Sequence, residues 1–261
     1  MVTAGHLHNS QHGFAYRFDW GTEGLRSLAP HVDVVVIVDI LRFTTAVCAA
    51  VESGCTVLPY PSTGAELQAY AAANNAAFGG LREHGGYSLS PTDLLTSQSG
   101  SRIVLPSPNG SALSFIAREF GAPRILAGSL RNATATAQHA LAIARGGKDD
   151  QTSIGVIAAG ERWGDSTGSM RPAIEDLIGA GAVLNALDPS GAVAAPCCSP
   201  EAAAARAAFH QARPRLFEAL CASGSGRELL ARGCEDDIAT SAALDVTEVV
   251  AELVGNAFHP T

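Results

Sequence analysis

The residues best suited to chemistry lie just behind a run of five apolar residues. Val34 to Val38 reads VVVIV, Asp39 ends the run, Arg42 follows, and Thr44 and Thr45 add two hydroxyls. A carboxylate is a hard oxygen ligand that suits Mg2+, which also takes phosphate oxygens. Arginine offers a bidentate fork to an anion, and hydroxyls and helix N-termini add further donors. Polar loops of the same kind recur along the chain. They are Arg82 with the Ser90-Pro91 pair, Asn109-Gly110-Ser111, Gly128-Ser129 with Asn132, and Glu161, Asp165 and Ser166 followed by Glu175-Asp176. Each has a plain structural reading too. A threonine pair caps helices, Asn-Gly makes turns, acids in a first helical turn complement the dipole, and Asp39 with Arg42 could form a structural ion pair. Their recurrence at successive strand ends favours one shared site. Its chemistry suits a phosphate ester better than a carbonyl, a glycoside or a hydride transfer.

Such loops need a scaffold, and the apolar pattern supplies one. A β-branched run like VVVIV suits a strand buried on both faces of a parallel sheet, and ligands in such sheets bind outside the carboxyl ends of the strands. Further strands are expected at Phe14 to Gly21, Cys55 to Pro59, Arg102 to Pro106, Arg124 to Gly128 and Ser153 to Gly160. Helical stretches alternate with them, one starting at Ser62 or Thr63, one capped at Ser90 and one starting near Pro172. The pattern predicts an α/β fold, three-layer α/β/α, with a parallel or mixed sheet. The last third reads as helical, with a break at Pro214 and DVTEVV (Asp245 to Val250) as a final edge strand. No repeat or linker divides the chain, so residues 1–261 read as a single domain that could be bilobed. Residues 1–13, with His6, His8 and His12, read as a flexible polar arm.

Composition narrows the function. A chain of 261 residues buries roughly 70–75% of its unfolded surface and needs no disulfide or structural metal. With 47% apolar and 16% charged residues, it reads as a globular enzyme. A net charge of −8 and a pI near 5.4 speak against nucleic acid and anionic membranes as partners. The six cysteines lack CxxC spacing and no leader-like segment precedes them, so reduced thiols and a cytoplasmic location are expected. No apolar run reaches the ~18–20 residues that span a bilayer. Alanine-rich apolar helices leave room for a homodimer.

Seven segments fall in one order: VDILRFTTAV (Val38 to Val47), SLSP (Ser88 to Pro91), PNGSAL (Pro108 to Leu113), GSLRNATA (Gly128 to Ala135), AAG (Ala158 to Gly160), IEDLIGAGAV (Ile174 to Val183) and SGSGRELLARGCEDDI (Ser223 to Ile238). As an ordered set they resemble the 2-phosphosulfolactate phosphatase family, Mg2+-dependent acid phosphatases of coenzyme M biosynthesis. The resemblance implies hydrolysis of a small phosphate monoester, 2-phosphosulfolactate or a related phosphorylated hydroxy acid. It implies Asp39 and Arg42 as catalytic groups. Asp39, Glu175, Asp176 and Asp237 are the implied Mg2+ ligands, and Thr44, Thr45, Arg82, Asn109, Gly110, Asn132 and Arg227 the implied phosphate and substrate contacts. Two segments depart from the family pattern. Ser107-Pro108 stands where Thr-Thr is expected, and Gly80-Leu81-Arg82 where Gly-Glu-Arg is expected. Those changes bear on substrate more than on reaction.

Asp39 could hold the metal, or it could attack phosphorus to give an aspartyl phosphate. Asp39-Ile40-Leu41 lacks the second acid of a DxD nucleophile motif. Cys221 to Arg227 fits the C-x5-R loop of cysteine phosphatases, which needs a thiol of depressed pKa. A module that binds a phosphorylated metabolite without turning it over could use the same donors.

Overall fold

The computed structural model describes residues 9–62, 65–78, 88–119, 124–146, 152–164, 168–189 and 197–261. In chain order, β1 (Tyr16–Trp20), α1 (Gly21–Leu28), β2 (Val34–Val38), α2 (Phe43–Glu52), β3 (Thr56–Tyr60), α3 (Ala65–Ala73) and β4 (Ala77–Phe78) form the first part. Next come α4 (Pro91–Leu94), β5 (Arg102–Pro106), α5 (Gly110–Glu119), β6 (Ile125–Gly128), α6 (Ala133–Arg145) and β7 (Ile154–Ala158). A small hairpin, β8 (Glu161–Arg162) with β9 (Met170–Arg171), precedes α7 (Ile174–Leu187). The helical stretch is α8 (Pro200–Ala212), α9 (Leu216–Ala222), α10 (Gly224–Ala231) and α11 (Glu235–Ala242), and β10 (Ala251–Val254) and β11 (Ala257–Pro260) follow.

The fold is α/β, as expected, with β2 at its heart. All five residues of β2 are buried. Val34, Val36 and Val38 face one core with side chains of α6, α7 and α8, whereas Val35 and Ile37 face another with α1, α2 and α5. Alternation along a strand sends successive side chains to opposite faces, so an unbroken apolar run is what a sheet covered on both sides requires. Burying each such side chain stabilises by roughly 1.5–3 kcal/mol. Pro214 falls in a 3-10 turn at Arg213–Arg215 that separates α8 from α9. The Ser90-Pro91 signal holds: the Ser90 hydroxyl accepts from the Asp93 N–H and Pro91 takes the first helical position of α4.

The sheet is mixed, in the order β1-β7-β2-β6-β10-β11-β3-β5-β4. β1, β7, β2 and β6 are mutually parallel, and so are β3, β5 and β4. Between these blocks sits the β10–β11 hairpin, antiparallel to β6 on one side and to β3 on the other. The two parallel blocks therefore run in opposite senses. The expected edge strand at residues 245–250 is instead irregular backbone whose Asp245 and Val246 N–H groups donate to the carbonyls of Leu130 and Arg131. The real strands lie just beyond it, in the interior of the sheet. The two blocks nevertheless meet where the Gly110 N–H, after β5, donates to Asp39, after β2. Five strand steps separate β2 from β5, and at roughly 20–25° each they rotate one against the other by on the order of 100°.

Of the expected polar arm, residues 9–13 are described. Gln11 holds the backbone of Phe18 from both ends of its amide, at 2.7 and 3.1 Å, and the Ser10 carbonyl accepts from Arg17 at 3.0 Å. All six cysteines are free thiols. Among the described residues no helix is long and apolar enough to cross a membrane.

Candidate active site

Asp39 stands at the carboxyl end of β2 and is 5% exposed. Its Oδ2 accepts the Gly110 N–H at 2.8 Å and its Oδ1 accepts the Phe43 N–H at 3.2 Å. The Ser107 hydroxyl lies 3.4 Å from Oδ2. Position 110 must be glycine for this approach: a Cβ there would sit 2.5 Å from the Phe43 ring and 2.7 Å from Oδ2. Asp176, in the first turn of α7, makes a second clasp. Its Oδ1 accepts the Ile40 N–H at 2.8 Å and its Oδ2 the Gly160 N–H at 2.9 Å. Asp39 thus ties the β2 loop to the β5 loop, and Asp176 ties it to the β7 loop.

Burial is the main force on both carboxyls. It pushes Asp39 up to about 6, against the Gly110 and Phe43 N–H groups, with the negative charges of Glu161 and Glu175 adding to the rise. Asp176 is raised well above the ordinary range by burial and then by the charges of Asp39 and Glu175. Glu175 is 3% exposed. Glu161 accepts the Asn109 side-chain N–H at 2.9 Å and the Arg162 N–H at 2.8 Å. Two buried carboxyls whose pKa is raised by burial and by neighbouring negative charge form a site in which a cation would relieve the repulsion. Their hard oxygens fit Mg2+, which takes one or two protein carboxylates and keeps several waters. Among the described residues no three His, Cys, Asp or Glu side chains are gathered into a metal-holding group, so a closed all-protein cage is not what this donor set offers.

A second cluster adjoins the first through the Asp39–Arg42 loop. The Arg42 Nη1 lies 2.6 Å from Asp237 Oδ2, with side-chain exposures of 21% and 0%. Asp237 is in the first turn of α11, and its other oxygen takes a hydrogen bond from the Ser90 hydroxyl.

Several expected contacts are used inside the fold. The Thr44 and Thr45 hydroxyls donate to the carbonyls of Asp39 and Ile40, both at 2.8 Å, and neither residue is exposed. They tie the first turn of α2 back to the end of the β2 segment. The Gly110 N–H is spent on Asp39. Asn132 is unexposed; its oxygen takes the Ser129 N–H and hydroxyl, and its amide donates to the Val249 carbonyl at 3.0 Å. Arg227 is exposed on α10. Arg82, Asp165 and Ser166 lie outside the described residues. Cys221 lies within α9 instead of before an anion loop, and burial, then Glu235 and Glu218, pushes its thiol up. That is the reverse of what a cysteine phosphatase needs. The Ser107 hydroxyl near Asp39 and the Asn109–Glu161 bond were not legible as contacts, although Gly160 next to Glu161 marked a turn at the end of a buried strand.

A family model described as 2-phosphosulpholactate phosphatase matches residues 24–256. A protein of Deinococcus radiodurans named probable 2-phosphosulfolactate phosphatase is 26% identical over 231 residues, covering 85% of this chain and 88% of its own. The match takes in β2, both clusters and every strand but β1 and β11, and with it the chain belongs to the 2-phosphosulpholactate phosphatase family, enzymes that hydrolyse phosphoric monoesters.

Proposed function

We propose Mg2+-assisted hydrolysis of a small phosphorylated hydroxy acid, 2-phosphosulfolactate or a close relative. One observation carries the reading: the buried carboxyls of Asp39 and Asp176, raised by burial and by neighbouring negative charge, both grip the loop that carries Arg42. Asp39 with Asp176 would hold the metal, whose charge when bound polarises a phosphoryl oxygen. Arg42 and the Asn109 amide would bind phosphoryl oxygens as charge builds on them. Water forms the new P–O bond as the ester P–O bond breaks, and the departing alkoxide takes a proton. Both Asp39 oxygens already hold a backbone N–H, which favours Asp39 as a fixed ligand over a nucleophile. Glu175 accepts no hydrogen bond among the described residues, and its carboxylate is the group free to orient the water.

The test is phosphate release from a panel of phosphorylated hydroxy acids by purified protein, with Mg2+ and with a chelator. Turnover should need the metal, and Asp39→Asn should lower it about a thousandfold while the fold survives. Near-wild-type turnover in that variant would remove Asp39 from the centre of the site. Tight binding of one ester without turnover of any would favour a sensor.

A further inference from the structure

We propose that Asp237 is a positioning residue for Arg42 and not a metal ligand, so that the helical last third aims the guanidinium at the substrate's phosphoryl group. The inference rests on the reading that Arg42 binds phosphate.

Both oxygens of Asp237 are committed. One lies 2.6 Å from Arg42 Nη1 and the other holds the Ser90 hydroxyl. The carboxylate is wholly buried, and a buried charge left without its partner costs several kcal/mol. A metal drawing on Asp237 would compete with Arg42 for the same oxygens. Asp237 is also not among the charges that act most on the acidic cluster. The negative charges that act most on Asp39 are Glu161 and Glu175, and those on Asp176 are Asp39 and Glu175.

Arg42 has the opposite character. A guanidinium carries five N–H donors in a fixed fork, and among the described residues Asp237 is its one hydrogen-bonding partner. Its side chain is still only 21% exposed, so the remaining donors are partly shielded from water. An arginine pinned at one nitrogen, with the rest of its fork open, is preorganised for an anion. The pin itself is rigid. Asp237 begins α11, Ser90 caps α4, and the Thr92 and Thr240 hydroxyls join these two helices at 2.8 Å.

The experiment measures two affinities by calorimetry in wild type, Asp237→Asn, Arg42→Ala and the double variant. One is for Mg2+ alone, the other for inorganic phosphate at saturating Mg2+. Asp237→Asn should weaken phosphate about tenfold, leave Mg2+ within about twofold, and add nothing in the Arg42→Ala background. Lost Mg2+ binding with phosphate affinity retained would overturn the proposal and restore Asp237 as a ligand. If Arg42→Ala loses phosphate but Asp237→Asn does not, this inference alone fails. If Arg42→Ala keeps its phosphate affinity, the reading beneath it fails as well. Should Asp237→Asn not fold, Ser90→Ala loosens the same carboxylate and is expected to weaken phosphate and spare Mg2+, and unchanged phosphate affinity there would count against the proposal.

Discussion

Replacing Gly110 with alanine tests whether the Asp39 clasp sets the geometry of the site. The new Cβ would meet Phe43 Cδ1 at 2.5 Å, Asp39 Oδ2 at 2.7 Å and Asp39 Cβ at 2.8 Å. Ordinary contact begins near 3.4 Å, so Oδ2 must retreat by about 0.7 Å. Phe43 is wholly buried and packs edge-on against Phe258, which leaves it little room to give. Overpacking of this kind costs about 1–3 kcal/mol. A displacement approaching 1 Å at a reacting group costs on the order of a hundredfold in rate. The assay pairs urea unfolding with kcat/KM on a phosphorylated hydroxy acid. Gly146→Ala is the control, because a Cβ at that helix end approaches nothing closer than 3.4 Å. Gly110→Ala should lose both stability and activity, and the control should lose neither. Wild-type activity in Gly110→Ala would refute the idea that Asp39 must be held where it is.

Two further outcomes follow from groups away from the clasp. Cys221→Ser should leave kcat within about twofold of wild type, since its thiol pKa is raised; inactivation by a thiol alkylator that maps to Cys221 would reverse that. Glu252 on β10 is pushed up by burial, but the Arg124 hydrogen bond and charge, with His139, outweigh this and hold it below its ordinary 4.5. A depressed carboxyl contributes stability above its unfolded pKa, and that contribution is lost as pH falls through the folded value. Urea midpoints of the wild type should therefore fall below about pH 4.5 more steeply than those of Glu252→Gln; parallel curves would remove the pair from the acid response.

Much of the fold could be read along the chain because β2 announces itself. Five β-branched residues in a row admit few other environments, and the caps at Ser90 and Ser199 follow local chemistry. The β10–β11 hairpin was missed because its strands are short and the preceding DVTEVV has the stronger β propensity. Gly255-Asn256 between two apolar pairs was the signal that could have found it. The site was legible in its residue types and less so in their roles. Asp39 and Arg42 share a loop by sequence alone, but nothing local says that Thr44 and Thr45 turn their hydroxyls onto carbonyls. Asp237 read as one more acid until its pairing with Arg42, 195 positions away, gave it another part. A mixed sheet was expected, but not that its parallel blocks oppose each other while the loop after β5 still reaches the loop after β2, through the Gly110 N–H on Asp39.

The hairpin that joins those blocks also sets the order in which the molecule can assemble. β10 and β11 come well after β3 and β6 in the chain, yet each must find a partner deep in the sheet: Glu252 opposite Leu126, and Phe258 opposite Val57. Until they arrive, β6 and β3 present unpaired edges, the kind of surface that recruits other chains. Long-range pairing of this sort slows folding. A chain whose hairpin has not yet paired must therefore hold two half-sheets apart without aggregating.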